Sequence, residues 1–256
     1  MQVYLLPVLN DNYIFLLHNP DTNTAIVVDP AIAPPVKAKL AELGADLIAI
    51  LNTHHHWDHI GGNQELLEAF PNLVIYGGAL DQGRIPHQQI FLNSGDRLDF
   101  NGTFGNNPAE VFFIPGHTIA HIGYYFPNSG DLFCGDTLFG GGCGRLFEGT
   151  PAQMLNSLQT LAQLPDLTKV WCAHEYTLNN LKFALTVDSQ NIALQQRLAA
   201  ATALRAINQP TIPSTIGLEK QTNPFLGGDR PEIQAKVGFT DPVRVFTKLR
   251  RLKDLY

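Results

Sequence analysis

The chain has 256 residues, enough for one large domain or a large one with a small companion, and its 45% hydrophobic content is that of an ordinary globular protein. Charged residues make up 16%, too few for a disordered, solvating chain, and the net charge of −6 argues against general nucleic-acid binding. Three cysteines, Cys134, Cys143 and Cys172, form no C-x-x-C pair, as expected of a reducing compartment without structural disulfides, and no run of ~18 apolar residues is present to span a membrane. In chain order, the apolar start is broken by Asn10, Asp11 and Asn12 and lacks a basic leader. It predicts a hairpin, strands 3–8 and 13–17, rather than a signal peptide. Strand 25–29 follows, then helix 35–43, strand 47–51, helix 62–70, and strands 73–76, 111–114, 122–126 and 131–135. Residues 150–164 carry the clearest helical signal. Thr150 is placed to cap, Pro151 to fill the first turn and Gln153 to complete a capping box. Strand 169–172 is the last strand expected. Beyond residue 174 the pattern turns helical, over 179–187, 189–207 and 241–255, and the Pro-, Gly- and Asn-rich stretch 209–230 reads as loop. We therefore expect a mixed α/β domain over 1–174 and a small helical domain over 175–256.

Residues 53–59, Thr-His-His-His-Trp-Asp-His, place His54, His56, Asp58 and His59 in the spacing H-x-H-x-D-H, just after an apolar run. Imidazole and carboxylate together suit zinc, iron or manganese. In an extended turn His54 and His56 share a face, whereas His55 and Trp57 point away and are not assigned as ligands. Asp58 and His59 are expected to open the following helix. Three more donors end apolar stretches: His117 after Phe-Phe-Ile-Pro-Gly, Asp136 after Leu-Phe-Cys-Gly, and His174 after Val-Trp-Cys-Ala. α/β folds place ligand-binding side chains at such positions. Taken alone, each would pass for an ordinary loop or turn residue. Beside the first cluster they bring the donors to seven, too many for one catalytic zinc with three protein ligands and a water, and suited to two metals sharing one carboxylate. Asp29, closing Ile-Val-Val-Asp, is a candidate to orient a ligand; His18, His87 and His121 read as ordinary histidines, with support of a ligand the alternative for His121. The Gly-Gly-Gly-Cys-Gly run at 140–144 lacks the G-K-[ST] of a phosphate loop. It reads as a close backbone approach, and Cys143 as a packed thiol with no evident general base. From Arg244 to Lys253 there are five basic residues and no acid, with Phe246, Leu249 and Leu252 at helical spacing and Arg250 and Lys253 on one side.

The ordered set Asp29, T-H-H-H-W-D-H, P-G-H-T, C-G-D-T and A-H-E-Y resembles the metallo-β-lactamase superfamily. More narrowly, the stretches THHHWDHIGGN (53–63), GDTLFGGGCGRLFEG (135–149), AHEYTLNNLKFA (173–184) and LRRLKD (249–254) resemble the glyoxalase II, or hydroxyacylglutathione hydrolase, family over essentially the whole chain. That resemblance implies an αβ/βα four-layer sandwich followed by a C-terminal helical domain. It implies two divalent metals, zinc foremost with iron or manganese as alternatives. One would lie on His54, His56 and His117 and the other on Asp58, His59 and His174, with Asp136 bridging. It implies that Arg145, Phe147, Tyr176, Arg250 and Lys253 form the glutathione site. Phe147 stands where some members carry Tyr, so a hydroxyl contact is lost, and Arg145 replaces a Lys and keeps the charge. The expected activity is hydrolysis of an S-(2-hydroxyacyl)glutathione, foremost S-D-lactoylglutathione in methylglyoxal breakdown, by a hydroxide shared between the metals, with Asp58 and Asp136 as catalytic carboxylates. Such a protein would be a cytoplasmic monomer acting on a small molecule, with neither nucleic acid nor membrane as partner. Rival expectations are a lactonase or persulfide dioxygenase of the same superfamily, or a metal-dependent binding protein without activity.

Overall fold

Apolar runs separated by short turns, residues 9–11 and 20–23, fold the first 28 residues into three antiparallel strands, β1 (Gln2–Val8), β2 (Asn12–Asn19) and β3 (Thr24–Val28). Helix α1 (Pro34–Leu43) begins with proline in its first turn and stops at Gly44, whose φ of 63° closes the end in the left-handed conformation. The chain then continues in parallel: β4 (Asp46–Leu51) beside β3, β5 (Val74–Gly78) beside β4, and β6 (Ile90–Leu92) beside β5, with α2 (Trp57–Ile60) and α3 (Asn63–Ala69) in the β4–β5 crossover. Ile14, Leu16, Val27, Ile50 and Ile75 of this sheet bury themselves against Val36, Leu40 and Leu66 of the helices. Strands β7 (Arg97–Leu98), β8 (Ala109–Phe113), β9 (Ile122–Phe126) and β10 (Asp131–Gly135) form an antiparallel run in spatial order β10–β9–β8–β7. It faces the first sheet through an aromatic contact, Phe15 to Phe133 at 5.4 Å between centroids, and Phe126 packs edge-on against Phe133 at 5.8 Å within the second sheet.

The remainder begins with a tight hairpin, β11 (Leu138–Phe139) and β12 (Gly142–Cys143). Then come α4 (Pro151–Leu161), β13 (Lys169–Cys172), α5 (Thr177–Val187), α6 (Ile192–Ala206), β14 (Ser214–Thr215), α7 (Ile216–Thr222), α8 (Pro231–Val237) and α9 (Pro242–Asp254). The capping box expected at Thr150 is present: its hydroxyl receives the Gln153 N–H, and the Gln153 side chain receives the Thr150 N–H.

Residues 1–256 are described, in a computed structural model. Two units separate by packing: Met1–Phe113 with Ala120–Gly135, and Ile114–Ile119 with Asp136–Tyr256. Three local expectations need correction. The stretch 209–230, expected as loop, contains β14 and α7; Thr215 caps α7 by accepting the Leu218 N–H, a signal that the surrounding Pro, Gly and Asn residues mask. Helix α8 lies where none was assigned, although Pro231 in its first turn and Gly238 in the left-handed conformation after it bracket it. Asp58 and His59 lie in α2, a single turn separate from α3, rather than at the start of one longer helix. The break falls at Gly61 and Gly62, where the segment Pro30–Ala33 crosses. A Cβ on Gly61 would stand 2.6 Å from the Ala31 carbonyl oxygen, and one on Gly62 2.6 Å from that of Pro30.

Candidate metal centre

In the first unit the buried β4 run delivers Asn52, Thr53 and His54 to the end of the parallel sheet, all fully buried. Asp29, at the end of β3, organises the segment that leaves β4. Its Oδ1 accepts the Thr53 N–H at 2.8 Å, and its Oδ2 accepts the Thr53 hydroxyl at 2.7 Å and His59 Nδ1–H at 3.0 Å. The residue sits at φ 49°, a left-handed conformation that costs a non-glycine residue about 1–3 kcal/mol and is retained where surrounding bonds hold it. Because Thr53 gives its one proton to Asp29, its oxygen receives His54 Nδ1–H at 3.0 Å. His54 and His59 are thereby both set as Nδ1–H tautomers, each with its Nε2 lone pair turned outward. Asp29, His54 and His59 form a buried group with donor atoms within 4.8 Å of one another, but Asp29 meets the protonated sides of the rings and so orients donors rather than adding one. His54 Nε2 lies 3.0 Å from His56 Nδ1, so the two rings share a direction as alternation predicts. His121 is fully buried and stacked on His54, with centroids 4.6 Å apart. His55 turns away: its Nδ1 lies 2.9 Å from buried Asp81, and its ring also meets Arg84. Trp57 is exposed. Asp58 is held by Asn12, whose side-chain amide donates to Oδ2 at 3.0 Å.

In the second unit His117, Asp136 and His174 are each more than nine-tenths buried and meet at the Asp136 carboxylate. His117 Nε2 lies 3.2 Å from Oδ2 and His174 Nε2 lies 3.3 Å from Oδ1. His117 donates its Nδ1–H to the Arg145 carbonyl at 2.8 Å, which sets its Nε2 as the outward lone pair. The carboxylate thus presents one oxygen to each imidazole. Gly144 passes so close that a Cβ there would meet the Asp136 carbonyl oxygen at 1.9 Å.

The donor set fits divalent metal. Two ligands of one tetrahedral zinc, at metal–nitrogen distances of about 2.0–2.1 Å, stand roughly 3.3 Å apart. The separations of 3.0 Å for His54–His56, 3.2 Å for His117–Asp136 and 3.3 Å for His174–Asp136 fall beside that value, and His59 Nε2 to Asp58 Oδ2 is 3.8 Å. The backing hydrogen bonds from Nδ1–H to oxygen are those that raise imidazole basicity toward a metal.

The residues expected at a substrate site all lie in the second unit. The Arg145 side chain is 63% exposed, with Nε 3.6 Å from Asp254. Phe147 is 62% exposed and stands edge-on to His117 at 5.1 Å. Tyr176 stacks parallel on His174 at 4.8 Å. Arg250, unlike Arg145, is withdrawn from solvent. It is 93% buried and stacked over Phe225, and its guanidinium donates to the Cys143 carbonyl at 2.9 Å and to Asp254. Lys253 is half-buried over Phe183 and Tyr256. Burial first, then the Arg250 and Arg145 charges, lower its pKa to about 8. Burial pushes the Cys143 thiol up to about 11 against the pull of Arg250, which agrees with an inert packed thiol. Asn12 and Asp81 escaped the sequence reading, since each acts on a partner far along the chain and no local pattern marks it.

Comparison with known proteins gives the chain its relatives. The metallo-beta-lactamase superfamily matches residues 8–174, and the hydroxyacylglutathione hydrolase C-terminus family matches residues 175–256. A hydroxyacylglutathione hydrolase of Synechococcus sp. (strain JA-2-3B'a(2-13)) is 62% identical over 256 residues, covering 100% of both chains. Among solved structures, the B3 metallo-beta-lactamase BLEG-1 superposes with a TM-score of 0.67 at 24% identity, covering 88% of this chain and 99% of its own, and it speaks to fold alone. TTHA1623 in a di-iron-bound form superposes with a TM-score of 0.60 at 27% identity, covering 88% of this chain and 100% of that one.

Proposed function

Because this chain belongs to the hydroxyacylglutathione hydrolase family, within the metallo-β-lactamase superfamily, we propose that it hydrolyses the thioester of S-(2-hydroxyacyl)glutathione, with D-lactoyl as the favoured acyl group. It is a thiolester hydrolase, and the observation that carries the proposal is the end-to-end match to relatives of that name. In this reading His54, His56 and His117 hold one divalent metal, and Asp58, His59 and His174 the other. Asp136 serves both, consistent with a carboxylate that faces one imidazole at each oxygen. Zinc is the favoured metal; a di-iron form of a 27% identical protein keeps iron in view. Bound metal supplies Lewis acidity, lowering the pKa of a water from near 16 to roughly 7 and polarising the thioester carbonyl. The chain's own residues do the rest. Asp29 and the Arg145 carbonyl hold the imidazoles with Nε2 outward, so no reorganisation is needed when charge develops. Asp58, fixed by Asn12, orients the attacking water. The leaving thiol has a pKa of about 8.5 and departs as thiolate, so no dedicated acid is required.

Glutathione carries two carboxylates, and Arg145, Lys253 and Arg250 offer three positive charges around a single Asp254. Arg145, Lys253 and Tyr176 grip the peptide, Phe147 gives apolar contact, and Arg250, already engaged, shapes the floor. On this reading residues 1–174 form the catalytic domain and 175–256 the glutathione-binding domain. Three cysteines without a disulfide suit a reducing, cytoplasmic setting, and no helix is long and apolar enough to cross a membrane. Metal-loaded protein is to be assayed with S-D-lactoylglutathione beside a lactone. We expect thioester loss with release of one thiol per turnover; lactone turnover without thioester turnover would reject the assignment.

A further inference from the structure

The second unit buries an ion pair that the chemistry above leaves unused. Glu219, on α7, is fully buried, and an uncompensated carboxylate there would be costly. Its Oε1 receives Arg197 of α6 and the Ser214 hydroxyl, both in short contacts. Its Oε2 receives the Gly141 N–H at 2.9 Å and the Asn223 amide at 3.0 Å. Asn223 in turn donates to the Gly142 carbonyl at 2.9 Å and to that of Phe139 at 3.3 Å, and Asn180 donates to the Gly140 carbonyl at 3.2 Å. Gly141 is left-handed at φ 66°, and a Cβ there would meet Leu181 at 2.6 Å. The glycine run between Asp136 and Arg145 is therefore held by side chains of α5 and α7 and by Asn223, and α5 comes this close only because Gly140, Gly141 and Gly142 have no side chains. At the far end of that run the Arg145 carbonyl fixes His117.

We propose that Glu219, paired with Arg197, is a positioning residue: by holding the 140–144 loop it sets the Arg145 carbonyl, and so keeps His117 in the tautomer and orientation that bind metal. The inference rests on reading His117 and Asp136 as metal ligands. A purely structural ion pair would affect only stability, because a buried pair exchanged for apolar residues of similar volume is often neutral or stabilising. The geometry demands more, since the Gly141 N–H loses its acceptor when the carboxylate goes.

The test uses full-length protein. Glu219→Gln keeps the volume but turns an amide toward donors that need an acceptor, and Glu219→Met with Arg197→Met refills the space without charge. For each variant the zinc affinity is measured by chelator competition, the His117 tautomer by ¹⁵N chemical shift in metal-free protein, and the fold by thermal melting. We expect zinc affinity to fall about 10–100-fold, as when a partner backing a metal-bound histidine is lost, with His117 no longer held as the Nδ1–H form. The double variant should show this at temperatures well below its own melt, which the unpaired Gly141 N–H lowers. Unchanged zinc affinity and tautomer in the double variant, or losses that merely track the melting temperature, would overturn the proposal. If the parent itself binds no divalent metal, the functional reading fails instead, and the His117 tautomer still decides the role of Glu219.

Discussion

At the scale of single residues, the chemistry depends on which side of each imidazole carries its proton. Asp29 takes three hydrogen bonds from the metal-binding segment, so Asp29→Asn, which replaces an acceptor oxygen by a donor, should weaken zinc binding about 10–100-fold. Competition against a chromophoric chelator reads this directly, and parent-like affinity would remove Asp29 from the account. Lys253 supplies a prediction in pH. Its ammonium loses charge near pH 8 rather than 10.5, so the cation needed for an anionic peptide is present below about 8 and lost above it. kcat/KM reports the free enzyme and should therefore fall between pH 7 and 9 through a rising KM. Lys253→Arg should remove that limb; a KM flat to pH 9 in the parent would show that Lys253 does not grip substrate. The candidate metal ligands stood out in the sequence because polar side chains ended apolar runs at a dense spacing. Asn12, Asp81 and Glu219 were not, since what makes them matter is a partner such as Asp58, 46 residues from Asn12.

At the scale of elements, two glycines explain why the β4–β5 crossover splits into α2 and α3. Gly62→Ala would put a methyl group 2.6 Å from the Pro30 carbonyl oxygen, and backbone cannot yield as a side-chain tip can. We expect a loss of about 1–3 kcal/mol in urea unfolding, together with weaker metal binding because Asp29 directly precedes the segment that must shift. A variant as stable as the parent would mean the segment has slack. Period-2 and apolar patterns located the main strands, and the Thr150 capping box fixed the start of α4. The short elements were harder. β11, β12 and β14 are two residues long and leave no period to detect. α7 and α8 span seven residues each, where caps rather than amphipathic rhythm carry the signal.

At the scale of the whole molecule, the central proposal is that seven side chains from separate parts of the chain would hold two metals, with Asp136 serving both. Metal bound to the folded state alone adds stability by mass action, so exhaustive chelation should lower the melting temperature, and zinc added back should restore it. An unchanged melt would mean the metal is not part of the native state. The most direct measurement is anomalous diffraction at the zinc edge from crystals of the metal-loaded protein. The account predicts two peaks, one within bonding distance of His54, His56 and His117, the other of Asp58, His59 and His174, with Asp136 reaching both. A single peak, or two peaks with Asp136 bound to neither, would contradict it.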